Sequence, residues 1–261
     1  MKKIILNERQ RGIVNTLVTK EKATVEELSS LFNVSSVTIR NDLSQLSKFG
    51  HVVRTHGGAR LVAERMRQES NFALRQSLNA QAKTVIGELA ARFIKPNDSI
   101  LLDSSSTAVA VAQAIRRMRI SFEIHAFVTG IWTALELLGD PNIHVVIPGG
   151  NVRNTTGSFT GSLTNEIIKR FNFNRVFLGA MGVSVEEGLT DSPMLEVELK
   201  QEIIKRAHEV ISVVDGCKFD KVGVATFAET SQIDKIITDK SAPSEQIDLL
   251  RKKGVEILIA E

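Results

Sequence analysis

The sequence predicts two domains of unequal size: a small winged helix-turn-helix unit, then a larger α/β unit built on a largely parallel sheet. Three observations carry this. Residues 76–261 alternate short apolar runs with helix-length segments, as βα units do. Residues 1–60 hold three short helical patterns followed by an alternating strand pair. Charge divides the same way: residues 1–60 carry ten Lys/Arg against five Asp/Glu, and residues 61–261 carry 23 against 25. A basic small piece on a slightly acidic large one points to nucleic acid at one end.

Composition excludes other classes. With 261 residues, 43% hydrophobic and 24% charged, the chain is neither disordered nor collagenous. No stretch approaches the roughly 18 unbroken apolar residues of a membrane span. The run Met1-Lys2-Lys3-Ile4-Ile5-Leu6 stops too soon for a secretory leader. The lone cysteine, Cys217, excludes an internal disulfide framework and fits a reducing compartment. The expectation is a cytoplasmic protein with no membrane partner.

In chain order, Asn7 to Lys20 reads as a helix with an apolar stripe of Ile13, Val14, Leu17 and Val18. Thr24-Val25-Glu26-Glu27 is a capping box, in which the Thr24 hydroxyl accepts the Glu27 amide and Glu27 reaches back. The helix it opens is expected to bury Leu28, Leu31 and Phe32 and to end near Asn33. Val34-Ser35 is a tight connection, Ser35 an N-cap for a third helix to Phe49, and Gly50 its left-handed stop. Three such helices with a very short second turn describe a helix-turn-helix.

At about 100° per residue, Ile39, Leu43 and Leu46 of the third helix fall on one side, with Val37, Arg40, Asn41, Ser44 and Lys48 roughly opposite. Arg40 can fork onto guanine or a phosphate, Asn41 can pair with adenine, and Val37 can touch a thymine methyl. Seen alone, such a stripe reads better as an ordinary solvated helix face. His51 to Arg60 changes the weighing, because it alternates and carries a Gly57-Gly58 turn, as a two-stranded wing does. Arg54, His56 and Arg60 can then reach phosphates beside the groove.

A hinge is expected over 61–75, of which Leu61 to Asn71 is polar and patternless. In 76–261, a helix from about Ser77 to Phe93 precedes apolar runs at Ile100–Leu102, Ile124–Val128, Val145–Ile147, Val176–Leu178, Val210–Val214, Lys235–Ile237 and Val255–Ile259. Helix-length segments such as Thr107–Arg117, Leu163–Phe171 and Leu195–Ala207 lie between them. Ligands of such sheets sit at strand carboxyl ends. Asp103-Ser104-Ser105-Ser106-Thr107 follows one strand and opens a helix, which suits an anion cradle but equally a plain Ser-rich cap. Thr129-Gly130, Pro148-Gly149-Gly150-Asn151 with Arg153, Gly179-Ala180-Met181-Gly182, and Asp215-Gly216-Cys217-Lys218-Phe219 follow others. Gly149 and Gly150 admit a close backbone approach or merely turn the chain. Lys218 can neutralise a phosphate.

Val34-Ser35-Ser36-Val37-Thr38-Ile39-Arg40-Asn41-Asp42-Leu43, then Arg54-Thr55-His56-Gly57-Gly58-Ala59, resembles the signature of DeoR-type bacterial transcription regulators, V-S-x-x-T-I-R-R-D-L followed by R-x-H-G-G-A. The larger half resembles the same family through its D-S-G-T-T, T-N, G-G, G-x-x-G and D-x-S-K-F runs. The resemblance implies a ribose-5-phosphate isomerase-like sensor fold, shared with glucosamine-6-phosphate deaminase, that holds a phosphorylated sugar. It implies a repressor of a carbohydrate catabolic operon, acting on double-stranded operator DNA as a homo-oligomer, a dimer or larger. Combined with the residue reading, DNA contacts are expected at Ser35, Ser36, Val37, Thr38, Arg40, Asn41, Ser44, Lys48, Arg54, His56 and Arg60. Effector contacts are expected at Asp103, Ser104, Ser105, Ser106, Thr107, Thr129, Gly149, Gly150, Arg153 and Lys218. This sequence departs from the family pattern at Asn41, Ser105, Ser106, Gly130 and Cys217.

Two other readings stand beside this one. A sugar-phosphate isomerase or deaminase would need a positioned carboxylate to shuttle a proton. The isomerases carry acidic residues just after Gly-Ala, where this chain has Met181-Gly182; Glu186, Glu187 and Asp191 are near only in sequence. A thiol switch would rest on Cys217 beside Lys218, with no resolving cysteine. No catalytic residue, metal site or cofactor is expected.

Overall fold

The computed structural model describes residues 7–20, 22–48, 52–61 and 72–261. Gly50 and most of the expected hinge, residues 62–71, lie outside these, as does the side chain of Val18. The chain divides into two compact units, Met1–Ala80 and Gln81–Glu261.

The first unit runs α1 (Glu8–Lys20), β1 (Lys22–Thr24), α2 (Val25–Phe32), α3 (Ser36–Lys48), β2 (Val52–Thr55), β3 (Gly58–Leu61) and α4 (Phe72–Ser77). Its three strands are antiparallel in the order β1-β3-β2. The wing therefore turns at His56-Gly57, with Gly57 at φ 82°, and Gly58 already lies in β3 opposite Thr24. Strand β1, with only Ala23 facing inward, gave no apolar pattern to read. The core joins Ile13, Val14 and Leu17 to Val25, Leu28, Ile39, Leu43, Leu46, Val52 and Ala59. Leu74 of α4 packs in the same core, so the last part of the expected hinge is ordered with this unit.

The capping box closes as its chemistry requires: Glu27 N donates to Thr24 Oγ1 at 3.1 Å, and Thr24 N donates to a Glu27 carboxylate oxygen at 2.7 Å. One burial expectation fails. Leu31 is 59% exposed, because Val25, Leu28 and Phe32 form the inward stripe and Leu31 lies about 100° away from Phe32. It lines a surface cavity of about 570 Å³ with Thr16, Lys20 and Glu27.

Asp42 of the third helix points inward. Arg9 Nε donates to it at 2.6 Å and Gln10 Nε2 at 3.2 Å, while Gln10 Nε2 also reaches Gln45 Oε1 at 2.7 Å. This polar clamp fixes α1 against α3. The hydrogen bond to Asp42 holds the Arg9 guanidinium above its ordinary pKa.

The second unit runs α5 (Ala80–Ala91), β4 (Ser99–Leu102), α6 (Ser106–Met118), β5 (Ile124–Val128), α7 (Ile131–Leu137), β6 (Ile143–Val146), β7 (Asn151–Val152), β8 (Phe159–Thr160), α8 (Ser162–Ile168) and β9 (Arg175–Leu178). It continues with β10 (Gly182–Ser184), β11 (Gly188–Asp191), α9 (Met194–Ile204), β12 (Val210–Val213), β13 (Ala225–Ala228), β14 (Lys235–Asp239), α10 (Ser244–Lys252) and β15 (Glu256–Ala260). The expected helix from Ser77 starts instead at Ala80, because Asn79 takes a left-handed φ of 51° after α4.

All seven expected apolar runs pair, parallel throughout, in the order β15-β14-β12-β9-β4-β5-β6. Alternate side chains go to opposite faces. Ile100 and Leu102 pack with Ile86, Val111 and Leu137 under α5–α7, whereas Leu101 packs with Ile168, Val197 and Ile203 under α8 and α9. The strand order reverses at β4 and β9, so a crevice opens at their carboxyl ends. That reversal positions the site.

Asp42→Ala strands Arg9 and Gln10 and should destabilise the first unit by about 1–3 kcal/mol. Hydrogen exchange on the intact chain should show α1 and α3 opening more often, with the parallel sheet unchanged.

Candidate functional site

On the first unit, Ser35 caps the third helix: its Oγ accepts Thr38 N at 3.2 Å and lies 2.9 Å from Thr38 Oγ1. With Ile39, Leu43 and Leu46 fully buried, the opposite face carries Val37, 62% exposed, and exposed Arg40, Asn41 and Lys48. Ser36, Thr38 and Ser44 are half-buried. Ser44 Oγ donates to Arg40 O at 2.8 Å and accepts from Arg54 NH1 at 2.9 Å. Arg54 thus ties the wing to the third helix beside its exposed face. His56 and Arg60 are exposed on the wing. The arrangement presents cations, an amide and a methyl-bearing side chain on one helix and its adjoining ribbon, which is what a major groove with flanking phosphates accepts.

In the second unit the crevice at β4 and β9 is built around Asp103 and Lys200. Asp103, 1% exposed, leaves β4; its Oδ1 accepts Ser105 N and its Oδ2 accepts Gly179 N, both at 2.9 Å. The second bond spans the point where the strand order reverses. Lys200 Nζ donates to Gly179 O at 2.8 Å and Asp191 Oδ2 at 2.7 Å, and lies 3.2 Å from Asp103 Oδ2. Burial pulls its pKa down, but Asp191, Asp103 and Glu196 outweigh this and hold it above the ordinary lysine value.

A second polar knot adjoins the first. Glu196 Oε1 accepts from Arg153 NH1 at 2.6 Å and from Ser158 Oγ at 2.8 Å, and its Oε2 accepts from Ser104 Oγ at 3.3 Å. Thr129 is buried; its N donates to Leu102 O and its O accepts Phe159 N, which seats Ser158 opposite Gly130 at the end of β5.

The helix cap is Ser105, whose Oγ accepts Ala108 N at 3.0 Å; Thr107 is the second residue of the helix, so the cap falls one residue earlier than a helix opening at Thr107 would place it. The first-turn amides of Ser106 and Thr107 have no carbonyl partner within the helix. A Cβ on Gly179 would meet Ser105 Cβ and Oγ at 2.5 Å, and one on Gly130 would meet Ser104 Cα at 2.8 Å, so a side chain at either position would require its neighbour to shift.

The remaining expected residues stand apart. Gly149 and Gly150 take φ 74° and 110°, and Thr164 Oγ1 donates to Gly149 O at 2.7 Å. Lys218 ends a short turn after β12, two strands from β4. Beside it, desolvation and then Asp215 push the Cys217 thiol up to about 11, outweighing Lys218. The direction of this shift disfavours the thiolate that a redox switch needs. Lys200, Glu196 and Ser158 escaped sequence reading. The signal present was that Glu196 and Lys200, four apart, lie on the same helix face as buried Ile203 and Ile204, where charge is out of place. Among the described residues no cluster suits a metal ion, and no helix is long and apolar enough to cross a membrane.

A winged helix with an exposed recognition face, in one chain with an α/β unit carrying a polar crevice at its switch point, defines a DNA-binding regulator with a separate sensor unit. A family model described as a DeoR-like helix-turn-helix domain matches residues 9–65, and one described as a DeoR C terminal sensor domain matches 78–240. The HTH-type transcriptional regulator GolR of Listeria innocua is 37% identical over 97% of this chain and 98% of its own. A putative aga operon transcriptional repressor of Escherichia coli O157:H7 is 31% identical over 97% and 93%. The chain belongs to the DeoR family of transcription regulators. It is a regulator, as these relatives are named, and not an enzyme. Ribose 5 phosphate isomerase A of Neisseria gonorrhoeae is 16% identical over 52% of each chain, at a TM-score of 0.38.

Arg40→Ala should cost about 1–3 kcal/mol on the specific operator alone. Arg54→Ala should weaken specific and nonspecific duplexes alike and flatten the salt dependence. Anisotropy titrations at several salt concentrations separate the two; equal losses on every sequence would contradict the division of roles.

Proposed function

We propose that this protein represses a carbohydrate catabolic operon and leaves its operator when a phosphorylated sugar binds in the crevice at β4 and β9. The observation that carries the reading is the donor set gathered there. Arg153, Ser104, Ser158 and the first-turn amides of Ser106 and Thr107 approach one another at the strand ends, where an anion is favoured by charge, hydroxyls and helix dipole together. Thr129 supports this wall.

Asp103 takes a different role in this reading from that of a free acceptor for sugar hydroxyls. Two amides and Lys200 already engage its oxygens, so it braces the crevice, with one lone-pair direction on Oδ1 left for a ligand. On the DNA side, Val37, Arg40, Asn41 and Lys48 read or anchor the groove, Arg54, His56 and Arg60 hold phosphates, and Ser35, Ser36, Thr38 and Ser44 shape the helix start and the wing contact. One winged helix reads too few bases for a genomic address, so the protein acts on operator as a dimer or larger, in the cytoplasm. Ligand must then favour an arrangement of subunits that no longer matches the operator.

The test is anisotropy of DNA from upstream of its own gene, titrated with a panel of phosphorylated sugars and their unphosphorylated counterparts. One sugar phosphate should release the protein while its unphosphorylated partner does not. Release by neither, or by both alike, would contradict the proposal.

A further inference from the structure

The switch-point cluster sets three carboxylates, Asp103, Asp191 and Glu196, against two cations, Lys200 and Arg153. Lys200 donates to Gly179 O and Asp191 and pairs with Asp103 at 3.2 Å, so its charge is neutralised in place. Arg153 is the cation of the pair that a ligand can take over. Its present partner is Glu196, which Ser158 and Ser104 also serve. A guanidinium and two hydroxyls converging on a two-oxygen anion are the donors that a phosphoryl group requires.

We propose that Glu196 occupies the phosphate subsite of the unliganded protein as an internal anion, and that the ligand's phosphoryl group displaces it from Arg153, Ser158 and Ser104. This rests on the sugar-phosphate reading above and adds to it how the site is regulated. With Glu196 in place, an incoming phosphate meets a carboxylate on the same donors, and like charges repel. With Glu196 turned out, two carboxylates face two cations and the phosphate finds Arg153 unopposed.

The place of Glu196 allows this. It lies in the first turn of α9, beside exposed Met194 and Leu195, one turn ahead of Lys200. Its side chain can turn to solvent while the Lys200 contacts hold α9 to β4 and β9. An unphosphorylated sugar brings no charge to satisfy Arg153 and so cannot replace Glu196. The displaced carboxylate therefore rejects uncharged sugars by leaving a partly buried cation without this partner whenever it is pushed aside.

The experiment uses inorganic phosphate as the probe and isothermal titration as the readout, on parent, Glu196→Gln and the double variant E196Q/R153M. The glutamine keeps the size and a carbonyl oxygen but removes the charge. E196Q should bind phosphate about tenfold more tightly than the parent, a gain of about 1.4 kcal/mol, and the double variant should lose that gain. Equal or weaker binding by E196Q would overturn the proposal. A crystal structure of the parent grown in high phosphate gives a second measurement that needs no variant. Phosphate on Arg153 with Glu196 turned away is expected; Glu196 still on Arg153 would overturn it. The two readings fail separately. If no sugar phosphate releases the parent from operator, the effector reading falls; if release occurs but E196Q gains nothing, only displacement falls.

Discussion

Lys200 lies buried at the centre of the sensor unit, with its ammonium shared among Gly179 O, Asp191 and Asp103 and 4.7 Å from the centre of the Phe227 ring. A charge in that position is tolerable only because every donor is matched; removing one member of such a set costs far more than the set contributes over an apolar replacement. What the group provides is geometry. It ties α9 to the ends of β4, β9 and β11, and Asp103 closes the same crevice with its bond to Gly179 N. The raised pKa of Lys200 sets the pH range of this support. It is fully present below the unfolded lysine value of about 10.4 and is lost only as pH rises through the higher folded value. The contact is therefore constant under physiological conditions, unlike the neighbouring Glu196, whose partners suit a ligand.

The first unit uses the same device in smaller form. Asp42 faces inward and joins α1 to α3 through Arg9 and Gln10. On the outward side of α3, Ser44 anchors Arg54 and Gln45 accepts from Gln10. With Asp42 turned inward, Arg40 and Asn41 beside it in sequence stay exposed.

Much of this was legible because the parallel strands are buried on both faces. Most are predominantly apolar runs such as Ile100–Leu102 or Val176–Leu178. The antiparallel sheet β10-β11-β13 was not legible: Gly182-Val183-Ser184 and Gly188-Leu189-Thr190-Asp191 carry glycines and hydroxyls that read as turns, and only the pairing makes them strands. Helix α10 hid behind Pro243 and a charged sequence. At the site, motif and strand-end reasoning located Asp103, Ser104 and Arg153. It could not supply Glu196 and Lys200, since these arrive from a helix more than ninety positions away and are joined to the crevice only by folding. At Cys217 the sequence shows only the neighbouring Lys218, whereas the desolvation and Asp215 that outweigh it appear only in the fold.

The central claim is that Lys200 and Asp103 act as one unit holding the switch point together. A double-mutant cycle of unfolding free energies with Lys200→Met and Asp103→Asn tests it most directly. Each single change should cost about 3–5 kcal/mol by leaving buried charge without its partner. The double variant should cost much less than the sum, with an interaction energy well above about 1 kcal/mol. Additive losses would show that the two residues stabilise the sensor unit independently, and the crevice would then need another organising contact.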